Sequence, residues 1–65
     1  MSTYRNTKCR IQAGWGDEGK EGRLLSIVDV SDVEWAVVVW DGDDEPSLFK
    51  AVGLEVKQEL WKNLV

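Results

Sequence analysis

Trp35-Ala-Val-Val-Val-Trp-Asp-Gly-Asp-Asp-Glu-Pro-Ser-Leu-Phe-Lys50 reads as a strand, an acidic turn and a second strand. From Val33 to Trp40 the run is β-branched, aromatic or Ala except at Glu34, which suits an extended backbone. Alternation puts Val33, Trp35, Val37 and Val39 on one face and Glu34, Ala36, Val38 and Trp40 on the other. Glu34 should stay in water, so the first set is expected to point inward. Asp41-Gly42 is a strong hairpin signal, because Gly readily takes the positive φ such turns need, and the loop continues to Pro46. Pro46 cannot donate to a ladder and marks the start of a short strand, Ser47 to Lys50.

Working outward, Lys8 to Ala13 alternates polar and apolar, with Cys9, Ile11 and Ala13 expected inside. Gly14 to Gly22 holds four of the six glycines and reads as a long loop whose only bulky residue is Trp15. Gly22 to Val30 is a second strand with apolar residues on both faces, as where a strand bends to serve both halves of a barrel. Ser31-Asp32 is a polar turn. Ala51 to Leu54 reads as one tight helical turn and Glu55 to Gln58 as a fifth strand. The spacing of Leu60, Trp61 and Leu64 predicts a short C-terminal helical turn, packed on the barrel or on a second subunit. The domain organisation is thus a flexible N-terminus over 1–7, a folded unit over 8–58 and a tail over 59–65.

This order resembles the SH3-like small-barrel superfold, including KOW-, Tudor- and CarS-type domains. The resemblance rests on Gly22-Arg-Leu-Leu-Ser-Ile-Val, Ala36-Val-Val-Val-Trp-Asp-Gly, Phe49-Lys50 and Gly53-Leu-Glu-Val56. It implies an all-β fold: a single five-stranded barrel with a one-turn helix before the last strand. Such barrels host peptide binders, RNA binders and oligomeric enzymes, so the fold alone assigns no function.

Composition narrows the field. A chain of 65 residues forms one small domain with a marginal core. One Cys and no His exclude the usual zinc sets and any His-based relay. Cys9 is expected to be a buried small hydrophobe. Four Trp in so short a chain cannot all be interior, so at least one should lie at the surface or in an interface. No segment reads as a membrane span or a signal peptide, and a cytoplasmic location is the expectation. Between Leu24 and Phe49 there are seven acidic residues and no basic one, while the remainder carries eight basic and five acidic residues. That distribution disfavours nucleic-acid binding, although Lys8, Arg10 and Arg23 could form a local basic patch.

Three motif-like stretches fail on their chemistry. Gly14, Gly16 and Gly19 match a dinucleotide-loop spacing, and Gly14 with Gly19-Lys20 nearly matches a P-loop. Both need a following helix, and here a strand is expected, with Asp17 and Glu18 repelling phosphate. An EF-hand begun at Asp41 would place Pro46 at its sixth position and Val52 at its twelfth, where Gly and Glu are required. No cofactor or metal is therefore expected, and a catalytic role is not.

The expected function is that of a small non-catalytic binding or accessory module. Its partner would be a protein with a basic segment, met by an acidic, Trp-containing surface: Trp15, Asp17, Glu18, Trp40, Asp41, Asp43, Asp44 and Glu45, with Tyr4 nearby. The competing reading for Trp15 and Trp40 is that they plug the ends of the core. One alternative is a homo-oligomeric barrel with a small-molecule site at its axis, joined through Trp61 and Leu64. The plasmid-borne type II dihydrofolate reductases look similar, with a Val-Gln-Ile-Tyr pore strand and a nearby Lys. Here the comparable Ser47-Leu48-Phe49-Lys50 lacks the Gln and the Tyr. Another alternative is an acidic DNA-mimic inhibitor, which needs its carboxylates on one face. Short stand-alone chains of this type look like accessory proteins of mobile elements.

Overall fold

The computed structural model describes residues 6–65. These form six strands: β1 (Thr7–Ile11), β2 (Glu21–Val30), β3 (Val33–Trp40), β4 (Ser47–Lys50), β5 (Leu54–Lys57) and β6 (Trp61–Asn63). A single 3-10 turn, Ala51–Gly53, precedes β5. The strands make one antiparallel sheet in the order β4-β3-β2-β1-β5-β6, which does not close, so β4 and β6 are its edges. The molecule measures 27 × 25 × 23 Å. A flat sheet would be about 10 Å thick, so this one is strongly curled.

The curl encloses one core: Cys9, Ile11, Leu24, Ala36, Val38, Trp40, Ala51, Leu54, Val56 and Leu64, with Trp15, Ile27 and Phe49 packed against it. Trp40 meets Phe49 edge-on at 5.8 Å, and Trp15 meets it at 5.6 Å. Such ring pairs add about 0.5–1.5 kcal/mol each beyond their buried area. Two glycines make this packing possible. A Cβ on Gly53 would fall 2.8 Å from the rings of Trp15 and Phe49. A Cβ on Gly22 would fall 2.5 Å from the Val39 carbonyl oxygen, where β2 crosses β3.

Several expectations are corrected. The inward set of β3 is Ala36, Val38 and Trp40, while Trp35, Val37 and Val39 lie on the outer face, half-buried, and Val33 is exposed. Glu34 misleads because it pairs with Asp29 near the tip of the β2–β3 hairpin, and every residue from Val28 to Glu34 is exposed. Water reaches both faces there, so a carboxylate at 34 says nothing about the rows further along. Ala13 is exposed, in the loop after β1. The tight two-residue hairpin is Ser31-Asp32, with φ of 52° and 65°, flanked by the Val30–Val33 pair. Asp41-Gly42 opens the loop that runs to Pro46, as expected, with Gly42 at φ 91° and the Asp43 N–H donating to the Trp40 carbonyl at 2.9 Å. The tail is β6 and not a helical turn. The Leu64 N–H donates to the Leu54 carbonyl at 3.0 Å, which holds the Leu64 side chain in the core. The ladder thus has six strands and open edges where a five-stranded barrel was expected.

Candidate functional site: the outer faces of the sheet

The expected binding surface divides once the side chains are placed. Trp40 is 93% buried and belongs to the core, leaving the acidic loop without an aromatic. Trp15 is half-buried and covers Gly53 and Phe49. Its loop is tied down on both sides. The Gln12 N–H donates to the Gly53 carbonyl at 2.8 Å, the Gln12 amide donates to the Leu54 carbonyl at 2.9 Å, and the Gly19 N–H donates to the Ile11 carbonyl at 3.0 Å. Within it the Lys20 N–H donates to the Asp17 carbonyl and the Gly14 N–H to the Glu18 carboxylate. Glu18 lines a cleft of about 260 Å³ with Arg10, Glu21 and Glu55, whereas Asp43, Asp44 and Glu45 line a separate open depression with Gly42, Pro46 and Ser47. Asp41 borders neither; it lies beside Lys8, Gly22 and Arg23. Tyr4 lies outside the described residues.

On the outer side of β1, β5 and β6, charge is matched by charge. Lys8 Nζ sits 3.0 Å from Glu21, and Arg10 Nε donates to Glu55 at 2.7 Å. The Arg10 guanidinium also lies 4.1 Å over the Trp61 ring, with Lys57 Nζ at 5.8 Å. Trp61 is therefore stacked within its own chain. Of the basic trio, Lys8 and Arg10 hold carboxylates and Arg23 donates to Asn6 at 3.4 Å. Trp61 and Leu64 do not form a shared outer surface, since Leu64 is buried.

The outer side of β2, β3 and β4 differs. Register places the rows Val30–Val33, Val28–Trp35–Lys50, Ser26–Val37–Leu48 and Arg23–Val39 on it. At the bulge between Leu24 and Ser26, Leu25 is the extra residue and joins this face. Leu25, Val28, Val30, Val33 and Leu48 are 37–59% exposed. No element among the described residues covers them. The exposed apolar area is on the order of 400–500 Å², the size of the largest apolar patch on an ordinary monomer, which is often functional. Sequence reasoning places Val33, Trp35, Val37 and Val39 of this face in the core. The signal was nonetheless present: a run apolar on both faces asks for two covered faces, and a chain this short can cover only one.

Charge frames the patch at its four corners. The acidic loop (Asp43, Asp44, Glu45) stands beyond the Val39 end of β3 on the β4 side, and Arg23, with Asp41 beside it, stands at that end on the β2 side. Lys50 lies at the Trp35 end on β4, and the Asp32 turn lies beyond that end on the β2 side. The carboxylates between 24 and 49 thus form two groups at opposite ends of β3, about 26 Å apart for eight extended residues.

Cys9 is fully buried, and burial pushes its thiol up from 9.0 to about 11, with Asp41 adding repulsion. It is a poor nucleophile at neutral pH. Among the described residues no three carboxylates or thiols converge to hold a metal ion, and no helix is long and apolar enough to cross a membrane. Comparison of the chain with protein-family models, with curated proteins and with solved structures gives no match.

Proposed function

We propose that this chain is a small non-catalytic protein-binding module of SH3-like type, and that its contact surface is the apolar outer face of β2, β3 and β4. The order β4-β3-β2-β1-β5 with a 3-10 turn before β5 supports the SH3-like reading, with β6 as an addition at one edge. The observation that carries the function is the patch itself. Eight apolar side chains stand on one sheet face, and nothing in the described chain packs on them. The acidic loop contributes charge at one corner and no aromatic anchor. Separation of the carboxylates into two groups gives less support to nucleic-acid mimicry, which needs a continuous ridge.

The test is site-specific photo-crosslinking in cells that express the chain, with the photoreactive residue at Val37 or Leu48 and, as control, at Lys57. Adducts from the first two positions and none from Lys57 are expected. Equal yields from all three positions, or none from any, would contradict a binding role for this face.

A further inference from the structure

We infer that the partner this face fits is a second copy of the same chain, packed face to face about a two-fold axis lying in the plane of the patch. The inference rests on the reading of that face as a binding surface, and on its charge geometry. Looking onto the face, Lys50 and Arg23 occupy one diagonal, and the 43–45 loop and the Asp32 turn occupy the other, with Asp41 beside Arg23. A two-fold along the strands stacks Arg23 on the acidic loop and Lys50 on the Asp32 turn. A two-fold across the strands stacks Lys50 on the acidic loop and Arg23 on the Asp32 turn. Both operations set the apolar rows against each other. The two-fold across the strands is the better matched, because it sets Lys50 against the acidic loop, whereas the two-fold along the strands would also bring Asp41, beside Arg23, onto that loop. A surface whose corners were all acidic, or all basic, would repel its own copy. Here the diagonal arrangement makes the face complementary to itself, with Trp35 and Val37 near its centre, where interface energy concentrates.

Area sets the strength. About 400–500 Å² of apolar surface on each copy, with the corners added, gives roughly 1,000 Å² in total. That is the lower bound for a specific interface. An interface of that size is a weak, transient one, in exchange with a folded monomer.

Sedimentation equilibrium of the full chain from about 1 μM to about 1 mM tests this. A monomer–dimer equilibrium is expected. Val37→Lys should weaken it at least about 100-fold, and Lys50→Glu about 10-fold. Circular dichroism would show both variants folded, and Leu48→Lys is the substitute if Val37→Lys does not fold. A monomer at every concentration, or a dimer indifferent to Val37→Lys and Leu48→Lys, overturns the inference. The photo-crosslinking above separates the two readings. An adduct of twice the chain mass supports self-association. Adducts of other masses only would keep the face as a binding surface and reject the second copy as its partner.

Discussion

The two outer faces of this sheet solve the same problem in opposite ways. Over β1, β5 and β6, Lys8 is matched by Glu21, Arg10 by Glu55, and the Trp61 ring is capped by the Arg10 guanidinium. That face is complete in water. Over β2, β3 and β4 the corresponding positions are Val, Leu and Trp, and only the corners carry charge. The difference is that one exposed sheet face is managed by internal pairing, while the other keeps apolar side chains at the surface of the described chain. Among the described residues no further element packs on it.

The largest expected effect separates the inner from the outer row of β3. Val38→Asp places an unpaired carboxylate in the core and should cost about 4 kcal/mol or more. For so small a domain, that is close to its whole stability. Val37→Asp, one residue away, should change the stability of the monomer by no more than about 1 kcal/mol in urea melts. Equal losses would mean that the outer face is structural, and the contrast between the two faces would collapse.

Gly22→Ala ranks next. Its Cβ would press on Val39 and Trp40 backbone at the crossing of β2 and β3, with an expected loss of about 2–3 kcal/mol. Gly16→Ala meets nothing within 4 Å and should be nearly silent. The inner side is also probed by pH. The folded state holds the Cys9 proton more tightly than the unfolded chain does. Its stabilisation is therefore fully present below pH 9 and is lost as pH rises towards about 11. Urea melts of the protein and of Cys9→Ala should differ by a constant packing loss below pH 9, and that difference should change only in the alkaline window. The smallest effect belongs to the charged face: Arg10→Ala removes an ion pair and a ring stack, for about 1 kcal/mol, reduced in high salt.

Much of the architecture was legible in the sequence. The succession of the first five strands along the chain, the loop after β1, the burial of Cys9 and the single turn before β5 follow from alternation, glycine content and length. The facing of β3 was not, because both of its rows are apolar and the one polar vote, Glu34, sits beyond the edge of the core. The tail was read as helical from Leu60, Trp61 and Leu64. What fixes it is the non-local Leu64–Leu54 hydrogen bond and the Arg10–Trp61 stack, neither visible in local spacing. For the same reason the expected acidic, Trp-bearing surface divided. Trp40 lies next to Asp41 in the chain, but the pleat turns its ring inward.

The most direct test of the central claim, that β3 turns Val37 to the outside and Val38 to the core, is thiol labelling of Val37→Cys and Val38→Cys, each followed by mass spectrometry. At about 1 μM protein, Val37→Cys should react at close to the rate of a free thiol and slow as concentration rises towards the range of self-association. Val38→Cys should be protected at every concentration, as the buried Cys9 should be. Faster labelling at position 38 than at 37 would contradict the account.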